Sequence, residues 1–318
     1  MDSTHSQQSE REAQKAQANR EELVERLMQV LPEDGTAEPL EGLLLNRASA
    51  PTRLEHSVFF PAFCIIAQGR KEILLGDSRY WYEPAQYLIA TAELPIASRI
   101  TEASLERPYL NVILKLDARL VSSVMVEAGH GAPHSQSLVT AIDVSPLDAG
   151  LLDAVVRLIK LLDSPSDAGF LAPLVLREIV YRLLKGAQRG RLAHIAALGS
   201  NTQRITEAIT RLRNEFNQPL RIEEVAHELG MSVSGFHHHF KTLTAMSPLQ
   251  FQKQLRLQEA RRLMLGEGLD AASAGYRVGY DDASYFNREY KKLFGAPPLR
   301  DVERLREGGR ERIAQGMV

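Results

Sequence analysis

The chain has 318 residues, of which 44% are hydrophobic and 25% are charged, so a fibrous or fully disordered protein is excluded. At roughly 100–200 residues per domain, this length predicts two domains. The longest nearly apolar stretch, residues 58–67, is too short for the roughly 20 residues that cross a bilayer. The first thirty residues lack the apolar core of a secretory signal. Cys64 is the only cysteine, which excludes an internal disulfide and favours a reducing, cytoplasmic setting.

The net charge of −2 hides an asymmetry along the chain. Residues 1–199 carry 20 Lys and Arg against 25 Asp and Glu, whereas residues 200–318 carry 18 against 15. The net positive charge of residues 200–318 is a weak indication that this part of the chain binds a polyanion.

The first elements along the chain are a short helix and a series of strands. Residues 1–20 predict a frayed polar tail, and a helix follows from about Arg20 to Leu31. From about Leu40 to Leu116, short apolar runs separated by Gly and Pro are typical of a β-sandwich or barrel. The predicted strands are Phe59–Ala67, Glu72–Leu75, Arg79–Tyr82, Tyr87–Thr91, Ile96–Thr101 and Tyr109–Leu116. The last run alternates with period two, which predicts one face in the core.

From about residue 143 the pattern is helical. Ser145-Pro146 is expected to open a helix, as its cap and first-turn proline. Its apolar stripe, Leu151, Val155, Leu158 and Leu162, can pack on the barrel or pair between subunits, and the sequence leaves both readings open. A second helix is predicted over about Asp167–Lys185, and a third over about Thr202–Phe216. Between them, residues 186–200 have the glycines of a hinge and a domain boundary.

An internal duplication dominates the last third of the chain. Residues 221–243 and 270–294 share a glycine-to-aromatic pattern, offset by 49 residues up to the glycine and by 50 after it. Each copy predicts a helix-turn-helix, with a turn at Gly230 or Gly279 and a cap at Ser232 or Asp281/Asp282. The second helix of each copy has an apolar face, built on Phe236 and Phe240 or on Phe286 and Tyr290, and a polar face. We expect one extra residue in the second turn.

A single helix is predicted to join the two copies. Ser247 caps it, Pro248 takes its first position, and it continues to about Leu265. Such a helix is about 27 Å long at about 1.5 Å per residue. Successive major-groove faces are about 34 Å apart, so a spacer of this length could place two recognition helices in adjacent grooves.

These residues resemble the AraC/XylS family of transcription factors. In the region of about 202–300 the resemblance is carried by Ile222-Glu-Glu-Val-Ala-His-Glu-Leu-Gly-Met-Ser-Val-Ser and by Val278-Gly-Tyr-Asp-Asp-Ala-Ser-Tyr-Phe-Asn-Arg-Glu-Tyr-Lys-Lys-Leu-Phe-Gly-Ala-Pro-Pro298. The front is similar to the N-terminal domain of one branch, through Pro61-Ala-Phe-Cys-Ile-Ile-Ala-Gln-Gly-Arg-Lys71 and Glu106-Arg-Pro-Tyr-Leu110. The resemblance implies a cupin-like β-barrel in front of a reader of DNA with two helix-turn-helix motifs.

The family pattern also implies which side chains meet DNA. They are Ser232, Ser234, His237, His238 and Lys241 in the first copy and Ser284, Tyr285, Asn287, Arg288 and Lys291 in the second. Arg288 is the best candidate for a base contact, because a guanidinium group can bind guanine with two hydrogen bonds. Two positions depart from the family pattern. His238 stands where many relatives carry Arg, which predicts a weaker or pH-sensitive readout by the first copy. Gly275 stands where Ala is usual, which predicts a softer second motif.

The front domain is expected to bind a small effector and to have no catalytic role, cofactor or metal. Adjacent histidines at 237–239 point about 100° apart on a helix and cannot converge on one ion. The pair His130/His134 falls in a Gly/Pro/Ser-rich segment, where we expect it to be solvated. Tyr80, Tyr82 and Tyr87 could line an effector pocket or simply pack in the core, and Cys64 could be a thiol sensor or a buried, inert side chain. Alternation puts Tyr80 and Tyr82 on one face and Trp81 on the other.

The sequence thus predicts an α+β protein with five segments. These are a tail and short helix (1–38), a cupin-like effector domain (39–142), a helical linker and dimerisation region (143–199), a DNA-binding domain (200–307) and a C-terminal tail (308–318). The predicted function is a sequence-specific regulator, taken as an activator, with promoter DNA, RNA polymerase, a small effector and a second copy of the chain as partners. The alternatives are a metal-dependent cupin enzyme with a helical appendage and a non-specific DNA-binding protein.

Overall fold

The computed structural model describes residues 2–129, 140–196 and 201–314. The predicted histidine pair at 130 and 134, and the boundary residues Gly199 and Ser200, lie outside these ranges. Within them the strands lie between Gly35 and Pro146, and the regular elements that follow are helices, so the predicted α+β class is confirmed.

The described strands and helices occur in the following order. The strands are β1 (Gly35–Leu40), β2 (Leu43–Ala48), β3 (Glu55–Phe59), β4 (Ala62–Gln68), β5 (Arg70–Leu75), β6 (Ser78–Tyr82), β7 (Gln86–Ala90), β8 (Leu94–Glu102), β9 (Tyr109–Lys115) and β10 (Ile142–Pro146). The helices are α1 (Asp2–Val30), α2 (Ala118–Glu127), α3 (Ala149–Lys160), α4 (Pro165–Lys185), α5 (Arg189–Ala196), α6 (Asn201–Asn214), α7 (Ile222–Glu228), α8 (Val233–Thr244), α9 (Pro248–Gly266), α10 (Ala271–Arg277), α11 (Ala283–Phe294) and α12 (Pro298–Ala314).

The strands form two separate sheets rather than a closed barrel. One has the order β1-β2-β9-β4-β7-β10 and the other β3-β8-β5-β6, and the pairs with a described register are antiparallel. A barrel requires every strand to have two paired neighbours, whereas each of these sheets ends in two edge strands. The expectation of barrel closure was therefore wrong, although the layered β architecture was right.

Strand β9 alternates as predicted, but both of its faces are buried. Leu110, Val112 and Leu114 face a core cluster shared with the helices, whereas Tyr109 and Ile113 belong to the cluster on the other side of the sheet. The reason is that helices cover one side of the six-stranded sheet while the four-stranded sheet and the helical domain cover the other.

The apolar stripe of α3 is used inside the chain. Leu151, Val155 and Leu158 are buried in the cluster formed with α1, α4 and the six-stranded sheet, and Leu162 is partly buried against it. Of the two readings left open by the sequence, packing within the chain is the one observed.

Three local predictions differ from the structure. Ser145-Pro146 ends strand β10, which pairs with β7, and α3 begins later with Asp148 as its cap. Pairing with a neighbouring strand outweighs a local capping signal at that site. Helix α1 already begins at Asp2, so the predicted frayed tail is helical. Strands β1, β2, β3 and helix α2 were not predicted.

Helix α5 occupies most of the predicted hinge and is tied to β10. Gln188 just before it is buried and donates a hydrogen bond to Asp143. Arg191 forms an ion pair with Asp143 at 2.7 Å and donates to the carbonyl of Thr140 at 2.8 Å. The described part of this segment is therefore held to the sheet.

The helical domain docks directly on the sheets through the first of its two motifs. One apolar cluster contains Cys64 and Ile73 of the sheets together with Phe236 and Phe240 of α8. The amide of Ala141 donates to the carbonyl of Leu243 at 2.9 Å. We find no described helix that is both long enough and apolar enough to span a membrane.

Candidate nucleic-acid interface

The duplicated segments form two helix-turn-helix units of matching size. Helices α7 and α10 have seven residues each, and α8 and α11 have twelve each. Four residues separate α7 from α8, and five separate α10 from α11. The single extra residue predicted for the second turn is therefore confirmed.

The two turns use the predicted glycines and caps. Gly230 and Gly279 have positive φ angles of 63° and 91°. The Ser232 side chain accepts a hydrogen bond from the amide of Gly235, and Asp282 accepts one from the amide of Tyr285. A positive φ ends the first helix without a steric penalty only at glycine, and the cap starts the second helix in a fixed direction.

The connecting helix α9 belongs to both motifs. It begins with a capping box of Ser247 and Gln250, as its sequence signals suggested. In its first half Phe251 and Leu255 are buried with the first motif, and in its second half Leu257 and Leu263 are buried with the second. Nineteen residues make it about 28 Å long. Because each end is part of one motif's core, the helix couples the orientations of the two motifs.

Polar contacts strengthen this coupling. Lys253 pairs with Glu289 of α11 at 2.6 Å, and Arg256 donates to the carbonyls of Phe216 and Gly279. Arg261 binds Asp301 of α12 with two hydrogen bonds of 2.8 and 3.0 Å. Asp301 is fully buried and also accepts from the Tyr290 hydroxyl. Asp301 also pairs with Arg304, three residues along α12. No sequence pattern singled out Asp301, since Tyr290 and Arg261, which bind it from other helices, lie 11 and 40 residues away.

The predicted DNA-facing side chains point away from the cores. Nine are exposed, while His237 is partly buried; the exposed ones are Ser232, Ser234, His238, Lys241, Ser284, Tyr285, Asn287, Arg288 and Lys291. Their helices are held from the opposite side by Phe236 and Phe240 or by Phe286 and Tyr290, which are fully buried. The exposed surfaces on α8 and α11, which we call the reading faces, are therefore free to meet a partner.

The cations of the reading faces are not neutralised within the described chain. Among the described residues, no carboxylate pairs with Lys241, Arg288 or Lys291, although ion pairs are frequent elsewhere. The Arg288 guanidinium lies over the Tyr285 ring, 5.2 Å from its centroid. A stacked, unpaired guanidinium keeps its donors available for phosphate or base edges.

The neighbouring histidines have different surroundings. Burial, followed by the charge of His238, lowers the pKa of His239. Across residues 2–129, 140–196 and 201–314, no three His, Cys, Asp or Glu side chains come together in a way that could hold a metal ion.

The four candidate effector residues do not line one space. Cys64, Tyr80 and Tyr82 belong to the cluster between the sheets, while Trp81 is 44% exposed on the outer face, as alternation predicted. Tyr87 lies on the other side of the six-stranded sheet, with its ring 5.5 Å from that of Phe63. Burial raises the pKa of the Cys64 thiol to about 12, although the positive charge of Lys71 acts to lower that pKa. A thiol that is so rarely ionised is a poor nucleophile, which favours the inert reading of Cys64.

Comparison with known proteins identifies both parts of the chain. The profile of the AraC-type transcriptional regulator N-terminus matches residues 39–191, and that of a helix-turn-helix domain matches residues 225–304. The chain belongs to the AraC family of transcriptional regulators. The N-terminal match spans strands β2 to β10 and helices α2 to α4, and the other spans both reading faces.

Relatives in the AraC family are 28% identical to the chain over the stretches that match. The transcriptional regulator ArgR of Pseudomonas aeruginosa is 28% identical over 156 residues, which are 49% of this chain and 47% of ArgR. The transcriptional activator RhaS of Klebsiella pneumoniae is 28% identical over 140 residues, 44% of this chain and 48% of RhaS. The matched stretches thus span about half the length of these relatives.

The fold is similar to that of ToxT from Vibrio cholerae. A ligand-free lysine-to-alanine variant of ToxT has a TM-score of 0.52 at 12% identity, covering 85% of this chain and 98% of ToxT. Wild-type ToxT bound to an unsaturated fatty acid has a TM-score of 0.51 at 10% identity, covering 84% and 96%. This likeness shows that both domains share a common architecture with ToxT.

Proposed function

We propose that the chain is a sequence-specific transcriptional regulator that reads duplex promoter DNA with two helix-turn-helix motifs. The observation that carries this proposal is the pair of reading faces on one connecting helix, with Lys241, Arg288 and Lys291 exposed and unpaired in the described chain. Cations free of internal partners can neutralise phosphates, and a helix face rich in Ser, Asn and Arg can read base edges. The family relationship supports the same function.

In this proposal the N-terminal domain binds a small effector and the regulator acts as an activator in the bacterial cytoplasm. The RhaS relatives are described as activators, which supports activation and a contact with RNA polymerase. Effector control requires that the ligand bind one arrangement of the two domains more tightly than another. The apolar cluster that joins the sheets to α8 supports such a link, because a change between the sheets reaches the first motif without a flexible linker.

Selection of bound fragments from random duplex DNA at physiological salt tests the proposal. We expect a consensus with two half-sites about one helical turn apart, bound at least about 10³-fold more tightly than random duplex. Equal affinity for all fragments would mean a non-specific binding protein and would contradict the proposal.

Helix α4 supports self-association. Phe170, Leu174 and Tyr181 are 76%, 52% and 40% exposed at helical spacings of four and seven residues. In an antiparallel two-fold pairing of α4 helices, the acidic first turn at Asp167 approaches the basic last turn at Lys185 of the other copy.

We expect Phe170→Asp to convert a dimer into a monomer in sedimentation velocity, with Leu105→Asp as a control at an exposed apolar residue elsewhere. A wild-type monomer at all concentrations would contradict self-association.

A further inference from the structure

Strand β5 directs a lysine into the space between the two sheets. Lys71 has the same strand parity as Ile73 and Leu75, which are both buried in the cluster between the sheets. The intervening residue, Glu72, instead pairs with Arg79 and Arg99 of the neighbouring strands. Lys71 is only partly exposed, and burial lowers its pKa.

The Lys71 ammonium group has no counter-ion among the described residues. Within residues 2–129, 140–196 and 201–314, no carboxylate oxygen lies within 4 Å of it and no acceptor forms a hydrogen bond with it. Glu55 of β3 is the carboxylate that raises the pKa of Lys71 from a distance, and Glu55 itself is exposed. An ammonium group that is only partly exposed, beside an apolar cluster and without a neighbouring carboxylate, marks a place that an anion can complete.

A phenol group and a thiol lie near this cation, and a second phenol group lies near both of them. Tyr82 lies directly opposite Lys71 in the register of β5 and β6. Tyr109 is fully buried, and its hydroxyl has no hydrogen bond of ordinary geometry to the described residues, although it is close enough to Tyr82 to affect the pKa of that residue. Cys64, in the opposite sheet, is close enough to all three to influence their pKa values. We call Lys71, Tyr82, Tyr109 and Cys64 the Lys71 cluster.

The surroundings of the Lys71 cluster are apolar. Ile66 and Leu88 of the six-stranded sheet and Ile73 of the four-stranded sheet are buried beside it. A ligand with one anionic group and an apolar body therefore matches both parts of this environment. The ammonium group and the phenol hydroxyls would hold the anionic group, and the aliphatic side chains would contact the body.

We propose that the Lys71 cluster is the effector site and that the effector is a small carboxylic acid with an apolar body. This inference rests on the proposed effector-controlled function and adds the chemical class of the ligand.

Thermal unfolding with matched acids and alcohols tests the inference. The probes are straight-chain carboxylates of four to twelve carbons and the primary alcohols of equal length, added to the full chain at neutral pH. We expect at least one acid to raise the Tm of the wild type while its alcohol does not.

Two variants and one control separate a binding role from a structural one. Lys71→Met should raise the Tm of the ligand-free protein, because an unpaired ammonium group is removed, and should weaken acid binding at least about tenfold, as expected for a lost charge-assisted contact. Tyr109→Phe should fold normally and weaken acid binding severalfold. Lys115→Met, in β9, removes an exposed lysine that pairs with Glu38 and should leave acid binding unchanged.

The outcomes are distinct. Equal effects of acids and alcohols, no acid effect across the whole series, or undiminished acid binding by Lys71→Met would overturn the inference. If the wild type selects a DNA consensus but shows no acid-specific effect, the proposed function stands and the effector assignment fails. If it selects no consensus, the proposed function fails whatever the acids do.

Discussion

Arg288 combines three features that a reader of base edges needs. Its guanidinium group is exposed, stacks on Tyr285 and has no carboxylate partner in the described chain. Asn287 and Lys291 lie beside it on the same helix, so the surface offers both amide and cationic donors. The sequence pattern of the second helix-turn-helix unit predicts this polar face of α11. The burial of Phe286 and Tyr290 then determines that the face is directed toward solvent.

Replacing Arg288 with Ala should cost about 1–3 kcal/mol of binding free energy and relax sequence preference at one base position. The measurement is a titration against the selected consensus and against single-base variants of it. Arg262→Ala is the matched control, because Arg262 is exposed on α9 but already paired with Glu259 and Glu267. Unchanged affinity and preference in Arg288→Ala would remove its assigned role.

His56 reports on the contact between the second motif and the sheets. It lies on β3 with its ring 5.0 Å from that of Phe294 in α11. Burial, with a further contribution from Arg261, lowers the pKa of His56 to about 4, while Asp301 opposes the shift. The unfolded chain, with a histidine pKa of about 6.5, binds this proton more readily, so stability is lost as the pH falls from about 6.5 to 4.

We therefore expect acidification from pH 7 to pH 5 to destabilise the wild type more than a His56→Phe variant. The difference in the change of unfolding free energy should be about 1–2 kcal/mol, since a shift of one pKa unit corresponds to about 1.4 kcal/mol. Urea unfolding at the two pH values measures it. An identical pH dependence in the two proteins would show that His56 keeps its ordinary pKa.

Among the elements, α8 and α11 were predictable because their signals are local. Each has a capping residue, a glycine before it and aromatics at helical spacing within about a dozen residues. Strand β10 was missed because its decisive partner, β7, lies about fifty residues earlier, whereas Ser145-Pro146 imitates a helix start. The sequence predicts that Gly275 weakens the second motif. Packing explains why glycine stands there, since an added Cβ would lie 3.0 Å from the Phe286 ring. That the second motif is softer stays a prediction.

The cap of α11 gives an element-scale prediction. Asp282→Ala should lower the unfolding free energy by about 1 kcal/mol, because the amide of Tyr285 loses its acceptor. Asp282→Asn keeps a capping oxygen and should lose much less. Chemical unfolding of the two variants distinguishes them, and equal losses would show that charge rather than capping stabilises this helix end.

At the scale of the whole molecule, the β5–β6 turn touches the turn between α8 and α9. Gly76 has a φ angle of 56°, and a Cβ added there would lie 2.6 Å from the carbonyl oxygen of Ala245 and 3.1 Å from Met246. The same two strands carry Lys71 and Tyr82, so the hairpin connects the proposed effector site to the first motif. The absence of a side chain at Gly76 therefore allows the β5–β6 turn to form and also allows it to contact the α8–α9 turn closely.

Gly76→Ala should separate the unfolding of the two domains in calorimetry and lower the stability of the full chain. Gly42→Ala is the control, because Gly42 also has a positive φ angle, 78°, in a hairpin turn, and its added Cβ meets only ordinary contacts with Lys115. Both variants should lose about 1–2 kcal/mol from backbone strain, and only Gly76→Ala should lose more. Equal losses would mean that the domain contact contributes nothing.

The sequence alone determined the doubled motif, its turn glycines, its caps and the helix between the copies, because those depend on residues a few positions apart. The family resemblance extended this to the N-terminal domain. Tertiary structure decided that the strands form two open sheets, that α3 packs inside the chain, and that Tyr82, Tyr109 and Cys64 are buried in one cluster with Lys71 opposite Tyr82. These features depend on pairing and burial between segments far apart in the chain, and no local pattern specifies which distant surface an apolar face will cover.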